Sequence, residues 1–187
     1  MSDATALPPT AGFAHPPRNV SLFGLEPGMH VADFGSGSGA YVLLMAEALG
    51  GHGRVTAVDI QKDLLSRIKN EAMARNLRNV EVLWGDLEVP HGSKLGDGVL
   101  DFVLISNLLF QVEEPGAVIA EARRTLKRDG RLAMIDWSDS FSSLGPPRGN
   151  VISRDAALER AERAGFALVR DFEAGAHHWG MMLRPVQ

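Results

Sequence analysis

The 187-residue sequence contains no cysteine. Disulfides, thiolate zinc sites and cysteine nucleophiles are therefore excluded from its chemistry. A long apolar run is also missing: nothing approaches the roughly 18 consecutive residues that a bilayer-spanning helix needs, so no membrane role is expected. Basic charge is scarce, with 19 Lys and Arg against 23 Asp and Glu and a formal charge of −4. Unaided nucleic-acid binding draws on clustered cations that meet the phosphates, and is not expected here. The densest patch, Arg123, Arg124, Lys127, Arg128 and Arg131, reads more simply as a solvated face. Met1 to Pro17 is rich in Ala, Pro and Thr and has no basic start followed by an apolar segment. It reads as neither a signal nor a transit peptide. The expectation is a flexible segment over 1–17, a single domain over 18–187 and a cytoplasmic location.

What is present is concentrated in Val31-Ala32-Asp33-Phe34-Gly35-Ser36-Gly37-Ser38-Gly39, followed by an apolar stretch from Ala40 to Leu49. A strand, a glycine turn and a helix in that order form a site of the nucleotide-binding type. Glycine permits the sharp turn and lets a ligand approach the main chain without meeting a Cβ. The spacing is neither the G-x-G-x-x-G of a dinucleotide loop nor a P-loop, which would close on Gly-Lys-Ser/Thr. Downstream, Arg54 to Ile60 is a β-branched run that ends on Asp59, twenty residues after Gly39. A carboxylate at about that offset can accept both hydroxyls of a ribose. Val80 to Leu87 forms a third run through Gly85-Asp86, and Leu100 to Ile105 a fourth that leads into Ser106-Asn107-Leu108-Leu109-Phe110. Apolar spacings of three and four predict helices over Gln61–Asn76 and Pro115–Lys127, and a serine start with a glycine stop predicts another over Ser153–Ala164. Phe166–Phe172 and Trp179–Leu183 read as closing strands, and Ser138–Val151 as the one long irregular loop. Alternation of strand and helix implies an α/β fold with a mostly parallel sheet covered on both faces.

The D-x-G-x-G-x-G loop, the acid at Asp59, Gly85-Asp86 and Leu126-Lys127-Arg128-Asp129-Gly130-Arg131-Leu132 together resemble class I S-adenosylmethionine (SAM)-dependent methyltransferases. The last stretch resembles the R-x-L-K-x-G-G-x-L lead-in to strand five of the ubiquinone and menaquinone C-methylase-like group, with Asp129 in place of the first of its two glycines. The resemblance runs from about Pro27 to Trp137. It implies a Rossmann-like, doubly wound seven-stranded sheet of order 3-2-1-4-5-7-6 with an antiparallel last strand. It also implies SAM as cofactor, held by Asp33, Gly35, Ser36, Gly37 and Gly39, with Asp59 on the ribose and Ile60 on the adenine. Gly85, Asp86 and Leu87 would stand at the adenine edge, and Ser106 and Asn107 near the methionine end.

The expected function is methyl transfer to a small-molecule acceptor, with Phe110 and Trp137 lining its pocket. Methyl transfer needs mainly positioning, with a base only for acceptors whose proton is tightly held. The general base is accordingly unknown, and Asp136, His177 and His178 are its candidates. Adjacent residues on a strand face opposite ways, so at most one of the two histidines could face the site. Asp136 could instead cap the following turn, and His15 and Arg18 could fold over the cofactor. Absences narrow the class. Without cysteine, the resembled pyrimidine-C5 and arsenite methylations are excluded. Ser106-Asn107-Leu108-Leu109-Phe110 is not the Asp/Asn-Pro-Pro-Tyr box of amino-directed DNA methylation, and no metal is expected. Three alternatives stay open: an RNA (tRNA) methyltransferase acting with a partner, a non-catalytic SAM-binding subunit, and a Rossmann oxidoreductase, against which the glycine spacing and Gly85-Asp86 argue; a homodimer could complete the pocket.

Overall fold

The computed structural model describes residues 14–140 and 145–186. Most of the expected flexible segment, and residues 141–144 of the long loop, lie outside the described residues. Seven strands form one sheet: β1 (His30–Phe34), β2 (Arg54–Asp59), β3 (Val80–Trp84), β4 (Leu100–Ser106), β5 (Leu126–Trp137), β6 (Phe166–Gly175) and β7 (His178–Pro185). Their order is β3-β2-β1-β4-β5-β7-β6. Pairing is parallel from β3 through β5, and β7 runs antiparallel to both β5 and β6. Fold class and strand order are those that the resemblance implies.

Five helices, α1 (Pro16–Leu22), α2 (Ala40–Ala48), α3 (Lys62–Ala74), α4 (Pro115–Thr125) and α5 (Arg154–Arg163), cover the sheet. Strand alternation divides the core in two. Ala32, Phe34, Val103 and Ile105 face Val118, Ile119 and Ala122 of α4 and Ala157 and Ala161 of α5. Val31, Phe102 and Leu104 face Phe23, together with Val42 and Met45 of α2 and Leu65 and Ile68 of α3. Central strands buried on both faces explain why they read as continuous apolar runs. In a sheet of this winding the chain leaves β1 toward one side and β4 toward the other, which opens a crevice beyond their carboxyl ends.

Three boundaries differ from the sequence reading. Helix α4 ends at Thr125, because Leu126 turns extended, is buried and pairs with Leu100 of β4. Gly130 lets the chain pass beneath it: a Cβ there would stand 2.8 Å from the Leu126 side chain. Strands β6 and β7 are longer than the pattern suggests and join through Ala176 and His177 alone. Helix α1 was not legible. It begins at Pro16, inside the segment expected to be flexible, and is anchored by Asn19, whose fully buried Nδ2 donates to the Tyr41 hydroxyl at 2.9 Å and to the Ala174 carbonyl at 3.0 Å.

Candidate active site

The loop after β1 carries its three glycines at φ +74° (Gly35), +50° (Gly37) and +81° (Gly39), the left-handed region that side chains disfavour. Their surroundings separate their roles. A Cβ on Gly35 would meet the Leu108 side chain at 2.7 Å, and one on Gly39 would meet Ile68 at 2.5 Å. Gly37 has only a carbonyl at 4.0 Å, so its missing Cβ leaves room in the crevice itself. The loop is pinned from β2. The Val58 carbonyl accepts from the amides of Gly35 and Ser36, and Asp59 Oδ2 accepts from the Gly37 amide at 2.9 Å. The other oxygen of Asp59 accepts from the Gln61 amide at 2.9 Å.

Two adjoining clefts share Gly35, Gly37 and Gln111. The first, of about 220 Å³, is lined by Asp59, Ile60, Gln61, Gly85, Asp86, Leu87, Glu88, Leu108 and Val112 as well. Ile60 is largely exposed, which offers a flat ligand an apolar face, and Asp86 Oδ1 accepts from the Glu88 amide at 3.0 Å. The second, of about 300 Å³, is lined by Ala14, Pro16, Asp33, Ser36, Ser38, Ala40, Tyr41, Ser106, Asn107, Trp137 and His178. Among the described residues neither lining contains lysine or arginine, whereas Asp33, Asp59, Asp86 and Glu88 supply four carboxyl groups. Burial first, and the Asp59 charge second, push the Asp33 carboxyl up to about 7. Burial also pushes the Tyr41 hydroxyl up, against the Asn19 hydrogen bond and the nearby Ser106.

Several buried polar atoms of the second cleft find no hydrogen-bond partner among the described residues: Ser36 Oγ, Ser106 Oγ, Asn107 Oδ1 and both ring nitrogens of His178. Ser106 Oγ lies near enough to Tyr41 to bear on its ionisation without a formed hydrogen bond. Buried polar groups are normally paired, so such a concentration in one cleft is the mark of a site built for a polar ligand. Asn107 also holds φ +54°, uncommon for a non-glycine residue and frequent at ligand clamps.

Most of the residues expected at the site line these clefts, and some do not. Gly39 caps α2 and packs on Ile68 instead. Phe110 is not in either lining. Asp136 also stands outside them. It is 1% exposed, and its oxygens accept from the amides of Leu109 at 3.0 Å and Trp137 at 2.8 Å, so it braces the β4–α4 loop. His177 faces away and pairs through Nδ1 with Asp139 at 2.9 Å, whereas His178 faces the cleft. Arg18 pairs on the surface with Glu173 at 3.1 Å and His15 Nδ1 accepts from the Arg18 amide, so neither side chain is in the lining, although the flanking Ala14 and Pro16 are. Tyr41, Gln111 and Glu88 were missed. Tyr41 is in the first turn after the glycine loop, where its position was the available signal.

A family profile described as a methyltransferase domain matches residues 25–174. The chain is 34% identical over 124 residues to an uncharacterized 37.1 kDa protein in transposon TN4556 of Streptomyces fradiae, a match covering 64% of this chain and 34% of that protein. It is 32% identical over 120 residues to a demethylmenaquinone methyltransferase of Listeria welshimeri, covering 64% and 49%. The chain thus spans half the length or less of the curated relatives it matches. Among solved structures, a SAM-dependent methyltransferase from Aquifex aeolicus superposes with a TM-score of 0.82 at 30% identity, covering 92% of this chain and 90% of that one.

Proposed function

Because the chain belongs to the S-adenosylmethionine-dependent methyltransferase family, we propose that it methylates a small-molecule acceptor at the junction of the two clefts. The observation that carries this reading is the pair of clefts sharing Gly37, with four carboxyl groups and no lysine or arginine in their linings among the described residues. That charge suits a sulfonium cofactor, which when bound supplies a methyl group already activated for in-line displacement. In this reading Asp59 serves the ribose, Ile60 and Leu87 pack on the adenine beside Asp86, and Asp33, Ser36, Ser106 and Asn107 hold the methionine end. Each oxygen of Asp59 already accepts one backbone amide and keeps a lone pair for a hydroxyl.

The basic patch favours a small acceptor over RNA, because most of it is spent on internal contacts. Arg124 pairs with Glu121 and Asp97, Lys127 with Asp101 at 2.6 Å, and Arg131 donates to the Gly24 carbonyl at 2.8 Å. Arg123 donates to the carbonyls of Gly165 and Val186.

Calorimetric titration with SAM, S-adenosylhomocysteine and NAD tests the reading. Saturable binding of the two sulfur ligands and none of NAD is the expected result, and failure of both sulfur ligands to bind would overturn it. Asp59→Ala should weaken SAM binding by roughly 1–3 kcal/mol, through loss of a ligand hydrogen bond and of the brace on Gly37. An unchanged SAM affinity in that variant would remove the ribose assignment.

A further inference from the structure

Strands β5 and β7 are in a register that sets Trp137 directly opposite His178. Their rings lie 4.3 Å apart between centroids, tilted by 41°, and both line the second cleft. Both residues are buried, at 6% and 5% exposure. We propose that Trp137 and His178 form the subsite of the methyl acceptor, and that this subsite takes an uncharged, flat molecule presenting a hydroxyl group to the imidazole. The proposal rests on the methyltransferase reading above.

Three features select that chemistry. The first is that neither ring nitrogen of His178 has a hydrogen-bond partner among the described residues. Burial, aided by the neighbouring His177 and opposed by Asp139, pushes its pKa down to about 4, so the ring is neutral near pH 7. A neutral imidazole carries one N–H donor and one bare acceptor nitrogen, and a hydroxyl can satisfy either. Secondly, the tilted pair of aromatic rings offers flat apolar surface beside that polar tip, a combination matched by a hydroxylated aromatic ring. The third feature is charge. Among the described residues no lysine or arginine lines the cleft, and Asp33 does. A carboxylate or phosphate on the acceptor would be desolvated without a counter-charge and would meet a like charge once Asp33 ionises. His177 cannot substitute for His178, because it points away and is engaged with Asp139.

The test uses the full chain saturated with S-adenosylhomocysteine, with 2-naphthol as neutral probe and 2-naphthoate as its charged counterpart. Histidine ring nitrogens are followed by NMR, and affinities by calorimetry. Saturable binding of 2-naphthol is expected, with a shift of the His178 ring resonances and 2-naphthoate at least about tenfold weaker. His178→Phe should lose about tenfold in 2-naphthol affinity, the scale of one hydrogen bond, and keep S-adenosylhomocysteine affinity within about twofold. His178→Gln retains a polar tip, supplies the comparison if the phenylalanine variant does not fold, and should lose less. Equal affinity for the two probes, no binding of 2-naphthol, or no loss on His178 substitution would each overturn the proposal while leaving the cofactor site intact. Failure of the wild type to bind S-adenosylhomocysteine alone would instead overturn the parent reading, and the subsite with it.

Discussion

At pH 8, Asp33→Asn is expected to raise the free energy of unfolding by as much as about 4 kcal/mol, and near pH 4 to leave it unchanged. Asp33 is 2% exposed at the end of β1, and its pKa rises from 3.8 to about 7 through burial and, less strongly, the charge of Asp59. The carboxyl therefore holds its proton more tightly in the folded chain than in the unfolded one. The resulting stabilisation is complete below the unfolded pKa of 3.8 and is lost as pH rises through about 7. Asparagine has no proton to lose, so the variant should be flatter across that window. Asp136, also pushed up to about 7 by burial, leaves a residual slope in both proteins. Urea unfolding at pH 4, 6 and 8 checks this, and parallel profiles for wild type and variant would refute it. The gain should come with weaker SAM binding, because a cationic ligand favours the ionised carboxylate. Below pH 7, SAM binding should release a proton from the wild type that Asp33→Asn does not release, a difference read by calorimetry in buffers of unlike ionisation enthalpy. A buried acid that weakens the fold and strengthens the site is a familiar trade between stability and function.

What was legible in the sequence was whatever backbone chemistry forces. Gly35, Gly37 and Gly39 all hold positive φ, so their spacing betrayed the loop, and the buried β-branched runs betrayed β1, β2 and β4. Strand order was reachable only through family resemblance, because periodicity says which residues are strands and not which strands are neighbours. The site's polar face depends on a register that composition does not encode. Pairing Trp137 with His178 puts those two side chains in the cleft, and the next pair, Asp136 with Trp179, faces the other way. A slip of one residue would exchange their roles. Tyr41 and Gln111 were invisible for a similar reason: how α2 and the β4–α4 loop pack against the sheet decides what they face. Helix α1 hides in a proline-rich stretch whose apolar pattern is weak, and tertiary burial of Asn19 and Phe23 anchors that region.

Near pH 4, where the wild-type carboxyl holds its proton and no ionisation cost offsets the loss, Asp136→Ala should destabilise the fold by about 3–5 kcal/mol, since buried amides left without an acceptor cost roughly 1–3 kcal/mol each. The carboxyl accepts from the amides of Leu109 and Trp137 and bears on that of Phe110, and it is almost wholly enclosed. The Leu109 and Phe110 amides belong to the turn that carries Asn107, Leu108 and Gln111 to the clefts, and the Trp137 amide ends β5 beside it, so loosening them should also loosen the site. Asp136→Asn keeps one carbonyl acceptor of nearly the same shape and should lose about half as much. Chemical denaturation of both variants measures the stability, and hydrogen exchange at the Leu109 amide reads the brace directly, with faster exchange in Asp136→Ala. A base acting on the acceptor would behave differently: its removal would abolish turnover and spare both stability and exchange. If Asp136→Ala proved as stable as the wild type and protected at Leu109, the bracing role would be wrong and Asp136 would return as a candidate for the chemistry.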